Sequence, residues 1–293
     1  MRLLMLLVLV LAAPLASALQ VAATTSSMAM LAREVGGGAV RVVELAPPDR
    51  DAHMLQARPS MMRALRDADL VVAVGAELEV GWLPAAIAGA ANPAVQPGRN
   101  GYFEAAAQVP LLETGGAADR AFGDVHPAGN PHVNLDPERM AAIAAALAER
   151  YGRLDPAGAE GYRARARQFQ AALAARLPLW RQQAAGSPGA VLFHKDGNYL
   201  LTWLGLPILG YLEPVPGLPP TAGHLQSLAE KLKGRSGIVL HAAWQPAAGA
   251  ERLAALLGWK TAVVALDPPA GARAADYIAV IDGWVNALAS ARP

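Results

Sequence analysis

From residue 20 onward the chain alternates short, wholly apolar β-branched runs with longer amphipathic stretches, the pattern of βα units built around parallel sheets. Strands are expected at 20–24, 40–45 and 70–74, and helices at 26–34, from Pro59, and at 78–91, where Pro84 bends the last helix or delays its start. A Gly- and Pro-rich passage follows, then a helix from Pro137 to Tyr151. Residues 157–185 break the alternation: they are Ala-rich, carry Tyr162, Phe169, Leu173, Leu177 and Trp180, and have no Gly or Pro between Gly161 and Pro178. They read as one long helix. The βα pattern then resumes, with strands at 190–193, 207–212, 238–240 and 261–266, and helices near Tyr199 and over 227–233, 248–257 and 274–289. The expected architecture is α/β: two lobes of parallel-sheet βα units, 19–156 and 186–293, joined by a rigid linker helix at 157–185, with the functional cleft between the lobes. No internal sequence repeat is evident, although both halves follow the same plan.

Residues 1–18 stand apart. Arg2, an unbroken apolar run from Leu3 to Ala13 and the small-x-small Ala16-Ser17-Ala18 read as a cleavable signal peptide, and the run is too short for a permanent membrane span. The chain contains no cysteine, which excludes disulfides, thiolate metal sites and an N-terminal lipid anchor. A secreted, unanchored protein of this kind is expected in the periplasm. With 25 basic against 24 acidic side chains and no block of like charge, nothing points to nucleic acid or an anionic membrane, so the ligand should be small.

Candidate chemistry centres on the stretch 124–137, which sets His126 and His132 in a loop of Gly, Pro and Asn. Pro131 restricts the approach to His132, and Asp136-Pro137 opens the next helix as cap and first residue. In parallel α/β sheets, ligands bind outside the carboxyl ends of the strands. Three more residues meet that test: His194 directly after an apolar strand, Asp267 directly after another, and His53 in the loop after the strand at 40–45. His53 and His132 come from the first lobe, His194 and Asp267 from the second, so facing lobes would bring three imidazoles and a carboxylate together as a metal site. His241 also ends a strand and is a rival or supporting residue; His224 opens a helix, where it meets solvent or backbone; Asp51 could orient His53.

These residues resemble the bacterial zinc and manganese ABC-transporter solute-binding proteins, the ZnuA/TroA-like cluster, over nearly the whole mature chain. The most specific parts are Asp51-Ala52-His53 with Arg58-Pro59-Ser60, Asn130-Pro131-His132-Val133-Asn134-Leu135-Asp136-Pro137, Phe193-His194-Lys195-Asp196, Glu213-Pro214 and Leu266-Asp267-Pro268. The resemblance implies that His53, His132, His194 and Asp267 are the four metal ligands; His126, His241 and Asp51 are accessory candidates from their own placement. It departs from the family at Asn134, where many relatives carry an aromatic. The segment 114–130 is short, with the single His126, where zinc members often have a long His- and acid-rich loop. His241 stands where relatives usually have an acid.

Three imidazoles with one carboxylate suit tetrahedral zinc, whereas manganese prefers more oxygen donors. Manganese members of the family usually carry an acid at the third position, here His194. The expected function is therefore a monomeric periplasmic receptor, not an enzyme, that captures Zn2+ and hands it to an ABC-transporter permease, with loading by a periplasmic metallochaperone left open. The rivals are a receptor of the same family for manganese or another divalent metal, a secreted zinc hydrolase with Glu213 as base, and a metal-chelate binding protein. Against the hydrolase, Asp267 fills the open position and no His-Glu-x-x-His helix exists.

Overall fold

Strand burial sets the order of the sheets. The computed structural model describes residues 18–115 and 126–292, so the expected signal peptide, Ala18 apart, lies outside the described residues. In the first sheet β1 (Leu19–Ala23), β2 (Val40–Glu44), β3 (Leu70–Ala73) and β4 (Tyr102–Glu104) run parallel in the order β2-β1-β3-β4. In the second, β5 (Ala190–Leu192), β6 (Ile208–Tyr211), β7 (Ile238–Ala242) and β8 (Lys260–Val264) repeat that order as β6-β5-β7-β8. The interior strands β3, β5 and β7 are buried throughout, and a strand covered on both faces reads as a continuous apolar run. The edge strand β2 alternates between half-buried and exposed positions, as one solvated face requires.

Helices cover both sheets: α1 (Ser26–Gly36), α2 (Pro59–Arg66) and α3 (Leu83–Ala90) in the first half, α6 (Asn198–Leu204), α7 (Ala222–Leu232), α8 (Ala247–Leu257) and α9 (Ala274–Ala289) in the second. Between the halves run α4 (Pro137–Leu154) and α5 (Ala159–Ala184). The expected α/β plan of two parallel sheets is the one observed. Two helices and one strand depart from expectation. The helix expected over 78–91 starts only at Leu83, with Pro84 in its first turn, because Gly75, Ala76 and Glu77 all take positive φ and turn the chain first. Helix α7 begins at Ala222 and not near Ser227, since Thr221 caps it by accepting from the backbone N–H of His224. Strand β4 lies unannounced in the Gly- and Pro-rich passage, held by pairing with β3.

One continuous apolar core runs from Val21 on β1 to Leu288 on α9, through α1, α4 and α5. Helix α5 is about 39 Å long at the usual rise. It buries Tyr162, Ala166, Phe169, Leu173, Trp180 and Ala184 on one side, packing on α4, α1 and α9. Its far end is pinned where Trp180 Nε1 donates to Asp282 on α9 at 2.6 Å and Arg176 pairs with the same carboxylate. Among the described residues no helix is long and apolar enough to cross a membrane.

Because Trp180 is fully buried where α5 meets the second half, Trp180→Ala should cost about 3–5 kcal/mol of unfolding free energy, while the neighbouring exposed Leu179→Ala should stay within about 0.5 kcal/mol. Urea unfolding followed by circular dichroism measures both.

Candidate metal centre

In each sheet the strand order reverses beside the first strand, and the carboxyl ends on either side of that reversal make a crevice. The two crevices face each other. His194 stands just beyond β5, His53 sits in a 3-10 turn (Ala52–Met54) after β2, and His132 precedes the 3-10 turn Val133–Leu135 that leads into α4. The structure brings these three together: their donor nitrogens all lie within 4.8 Å of one another. The ring centroids form a near-equilateral triangle with sides of 5.2, 5.6 and 5.4 Å.

Each ring is aimed by its surroundings. Asp51 accepts from the backbone N–H of His53 at 2.9 Å and lies 2.8 Å from its Nδ1, which leaves Nε2 facing the cleft. Although burial opposes it, contact with His53 holds the Asp51 carboxyl below the usual range. His194 Nδ1 lies 2.7 Å from Glu213 Oε2, and Glu213 is fixed in turn by the backbone N–H of Gly217. The pairing of β5 with β6 shifts register after Ala190, so that Leu192 faces Tyr211 and the chain beyond sets His194 against Glu213. Gly210 stands at this irregularity with φ +155°, and a Cβ there would meet Leu228 at 2.8 Å. His132 takes its place from Asn130, whose Oδ1 accepts the His132 backbone N–H at 2.9 Å and whose amide donates across the cleft to the carbonyl of Lys195.

The charges are unequal. Burial works against a proton on His194, but Asp196 and Glu213 outweigh it and raise the imidazole to about 9. Burial and the three neighbouring imidazoles push His132 well below its ordinary value. The Nε2 of His132 is buried and has no hydrogen-bond partner. Two lone pairs and one removable proton are therefore aimed into one small space, the donor chemistry a divalent ion takes.

Beside the rings is a cavity of about 40 Å³ lined by His53, His132, Asn134, Asp196, Trp244 and Asp267 among others, room for two or three water-sized particles, while His194 borders a smaller void next to it. Asp267 stands beyond β8 on its wall, outside the tight imidazole group, with Oδ1 accepting the backbone N–H of Ser27 at 2.9 Å. Burial above all pushes its carboxyl up. His126 Nε2 lies 3.1 Å from His53 Nε2. His241 is set behind the triad, with Nδ1 3.0 Å from the Ala242 carbonyl and its ring against a smaller void next to His194. His224 is turned away, 2.9 Å from the Tyr211 carbonyl. Sequence reasoning missed that Glu213 orients His194 and that Asp196 borders the cavity; both acids sat in quoted motifs, Glu213 straight after a strand, and that placement was the available signal.

The sequence of residues 21–291 matches the family described as "ZnuA: Zinc-uptake complex component A periplasmic". The chain belongs to this family. It is thus a periplasmic-type metal-binding solute receptor of the kind that works with ABC-transporter permeases. Solved structures share the fold. One described as ZnuA is 23% identical, with TM-score 0.77, covering 92% of this chain and 99% of its own. The SBP FpvC from Pseudomonas aeruginosa, in complex with Mn2+, is 23% identical with TM-score 0.79, covering 93% and 98%. The laminin-binding protein Lmb of Streptococcus agalactiae, described as having adhesin and metal-transporting activity, is 20% identical with TM-score 0.73, covering 92% and 99%. No curated protein matches the chain.

A metal ion at this triad must displace the His194 proton. Affinity for Zn2+ should therefore rise about tenfold per pH unit between about pH 7 and 9 and level off above, because one proton leaves per ion bound until the imidazole is already neutral. Competition against a chromogenic chelator across that range reads it; a flat profile would show that His194 is not displaced of a proton.

Proposed function

We propose that the protein is a zinc receptor: it captures Zn2+ between its lobes, on His53, His132 and His194 with Asp267 as the fourth ligand, and delivers the ion to an ABC-transporter permease for import. The observation that carries this reading is the convergence of three imidazole donors within 4.8 Å, two of them held at Nδ1 by carboxylates. Three nitrogen donors and a carboxylate match the tetrahedral preference of zinc, and the family description is one of zinc uptake. Solved relatives of the same fold are described with Mn2+ and Ni2+, so the metal carried by this chain is decided by experiment.

The cavity argues against the rival classes. About 40 Å³ accommodates an ion and not an organic chelate, for which pockets of roughly 300 Å³ and more are usual, and the roomier pocket of about 390 Å³ beside it, lined by Arg50, Asp51, Arg58 and Trp244, is bordered by none of the three imidazoles. A hydrolase needs room for substrate beside an open metal position, and Glu213, the acid best placed as a base, is already committed to His194 and Gly217. In this reading Asp51 orients His53, His126 beside His53 passes the ion inward, and His241 supports the wall behind His194. The leader at 1–18 directs the mature monomer to the periplasm.

The test starts from protein stripped of metal, exposed to equimolar Zn2+ and Mn2+, desalted and analysed by elemental mass spectrometry. One zinc per chain is expected, abolished in His132→Ala; retained manganese alone, or no metal, overturns the reading. Small-angle scattering of the same samples should show no change in radius of gyration on loading, since α5 and the polar links across the cleft fix the lobes.

A further inference from the structure

Asp196 lies in the 3-10 turn Lys195–Gly197, directly after His194, and is 5% exposed. Its Oδ2 accepts from Gln245 Nε2 at 3.1 Å, and Gln245 is itself buried and anchored, its Oε1 accepting the backbone N–H of Ala242 at 2.7 Å. This fixes the carboxylate and leaves Oδ1 aimed into the cavity, 3.5 Å from the partnerless Nε2 of His132. Oδ1 and Nε2 thus both face the cavity, at a separation that a shared cation would bridge. Donors each about 2.1 Å from one ion at the tetrahedral angle are about 3.4 Å apart. The observed separation fits that spacing for this pair, while Asp196, like Asp267, stands outside the group of donors within 4.8 Å, so that a bound ion draws both carboxylates inward.

We infer that Asp196 is a direct metal ligand, a second carboxylate on the ion beside Asp267, so that the bound metal has five protein donors. The inference rests on the metal-receptor reading and specifies its selectivity. Two carboxylates neutralise a divalent charge in a buried site, and the added oxygen donor moves the site toward ions that prefer oxygen and higher coordination, Mn2+ above all. Zinc, content with four donors, depends less on Asp196.

The experiment uses the mature protein and Asp196→Asn, which keeps the shape and an acceptor for Gln245. Substitution should weaken Mn2+ binding on the order of 100-fold while Zn2+ affinity falls by no more than about tenfold, both by calorimetric competition. Co2+ loaded into the wild-type protein should give the weak visible bands of a five-coordinate ion, and the variant the intense bands of a four-coordinate one. If Asp196 only positioned His132, Zn2+ and Mn2+ would weaken equally and the cobalt bands would not change; that outcome overturns the inference. Should the variant fail to fold, the wild-type cobalt spectrum decides alone, since intense four-coordinate bands there overturn it equally. Failure of the underlying reading looks different: the wild-type protein then retains no Zn2+ at all.

Discussion

Holding the donor atoms of three imidazoles within 4.8 Å of one another in a mostly buried cleft is the constraint on which the rest of the structure depends. Unaided, such a cluster is unfavourable: each ring loses water, and any proton on one repels a proton on the next. The protein answers with acids placed behind and beside the rings. Asp51 takes Nδ1 of His53, Glu213 takes Nδ1 of His194, and Asp196 supplies the field that keeps a proton on His194 in spite of its burial. His132, the ring without such an acid at Nδ1 or a partner at Nε2, is the one forced to neutrality. The site is thus a metal-shaped charge pattern in which His194 carries the proton that an arriving ion replaces.

Geometry of this kind needs the two sheets at a fixed separation, and the continuous core supplies it. A hinge of two strands would let the lobes part; here α5 packs on helices of both halves, and its buried face runs from Tyr162 to Ala184 without a polar break. Polar links close the cleft from the sides. Tyr199 donates to the Asn130 carbonyl and Tyr277 to the Asn134 carbonyl, each tying a second-half helix to the loop that carries His132. The loop that presents His132 is therefore held from both lobes.

Much of this was legible in the sequence, for physical reasons. Parallel strands buried on both faces leave uninterrupted apolar runs such as Leu70–Ala73 and Ile238–Leu240, and the strand-end rule then singled out His53 and His194 as residues facing one cleft. Strand β4 was hidden because three residues carry no period and its pairing with β3 is a tertiary matter. The partnership of His194 with Glu213 was hidden for a sharper reason: it depends on a one-residue register shift between β5 and β6, and without it Leu212 would stand opposite. Asn134, which stands where many relatives carry an aromatic, proves to bridge the halves, donating to Ser27 Oγ and to the Leu266 carbonyl.

That bridge bears on how Asp267 belongs to the site. The residue is carried by the second half, yet its Oδ1 is held by the backbone N–H of Ser27 in the first turn of α1, where the helix dipole also favours negative charge. Its position is thus set by the first lobe as much as by its own. A carboxylate gripped through one oxygen still offers the other to an ion, so ligation by Asp267 requires no loss of the Ser27 bond. With Asp267 as the proposed fourth ligand, metal and cross-cleft link would reinforce each other: the Ser27 bond fixes one carboxylate oxygen, and an ion on the other would draw the same carboxylate against α1. On the proposed reading, the ion is taken up by exchange with a proton and settling of side chains, the lobes being held by α5 and the links across the cleft.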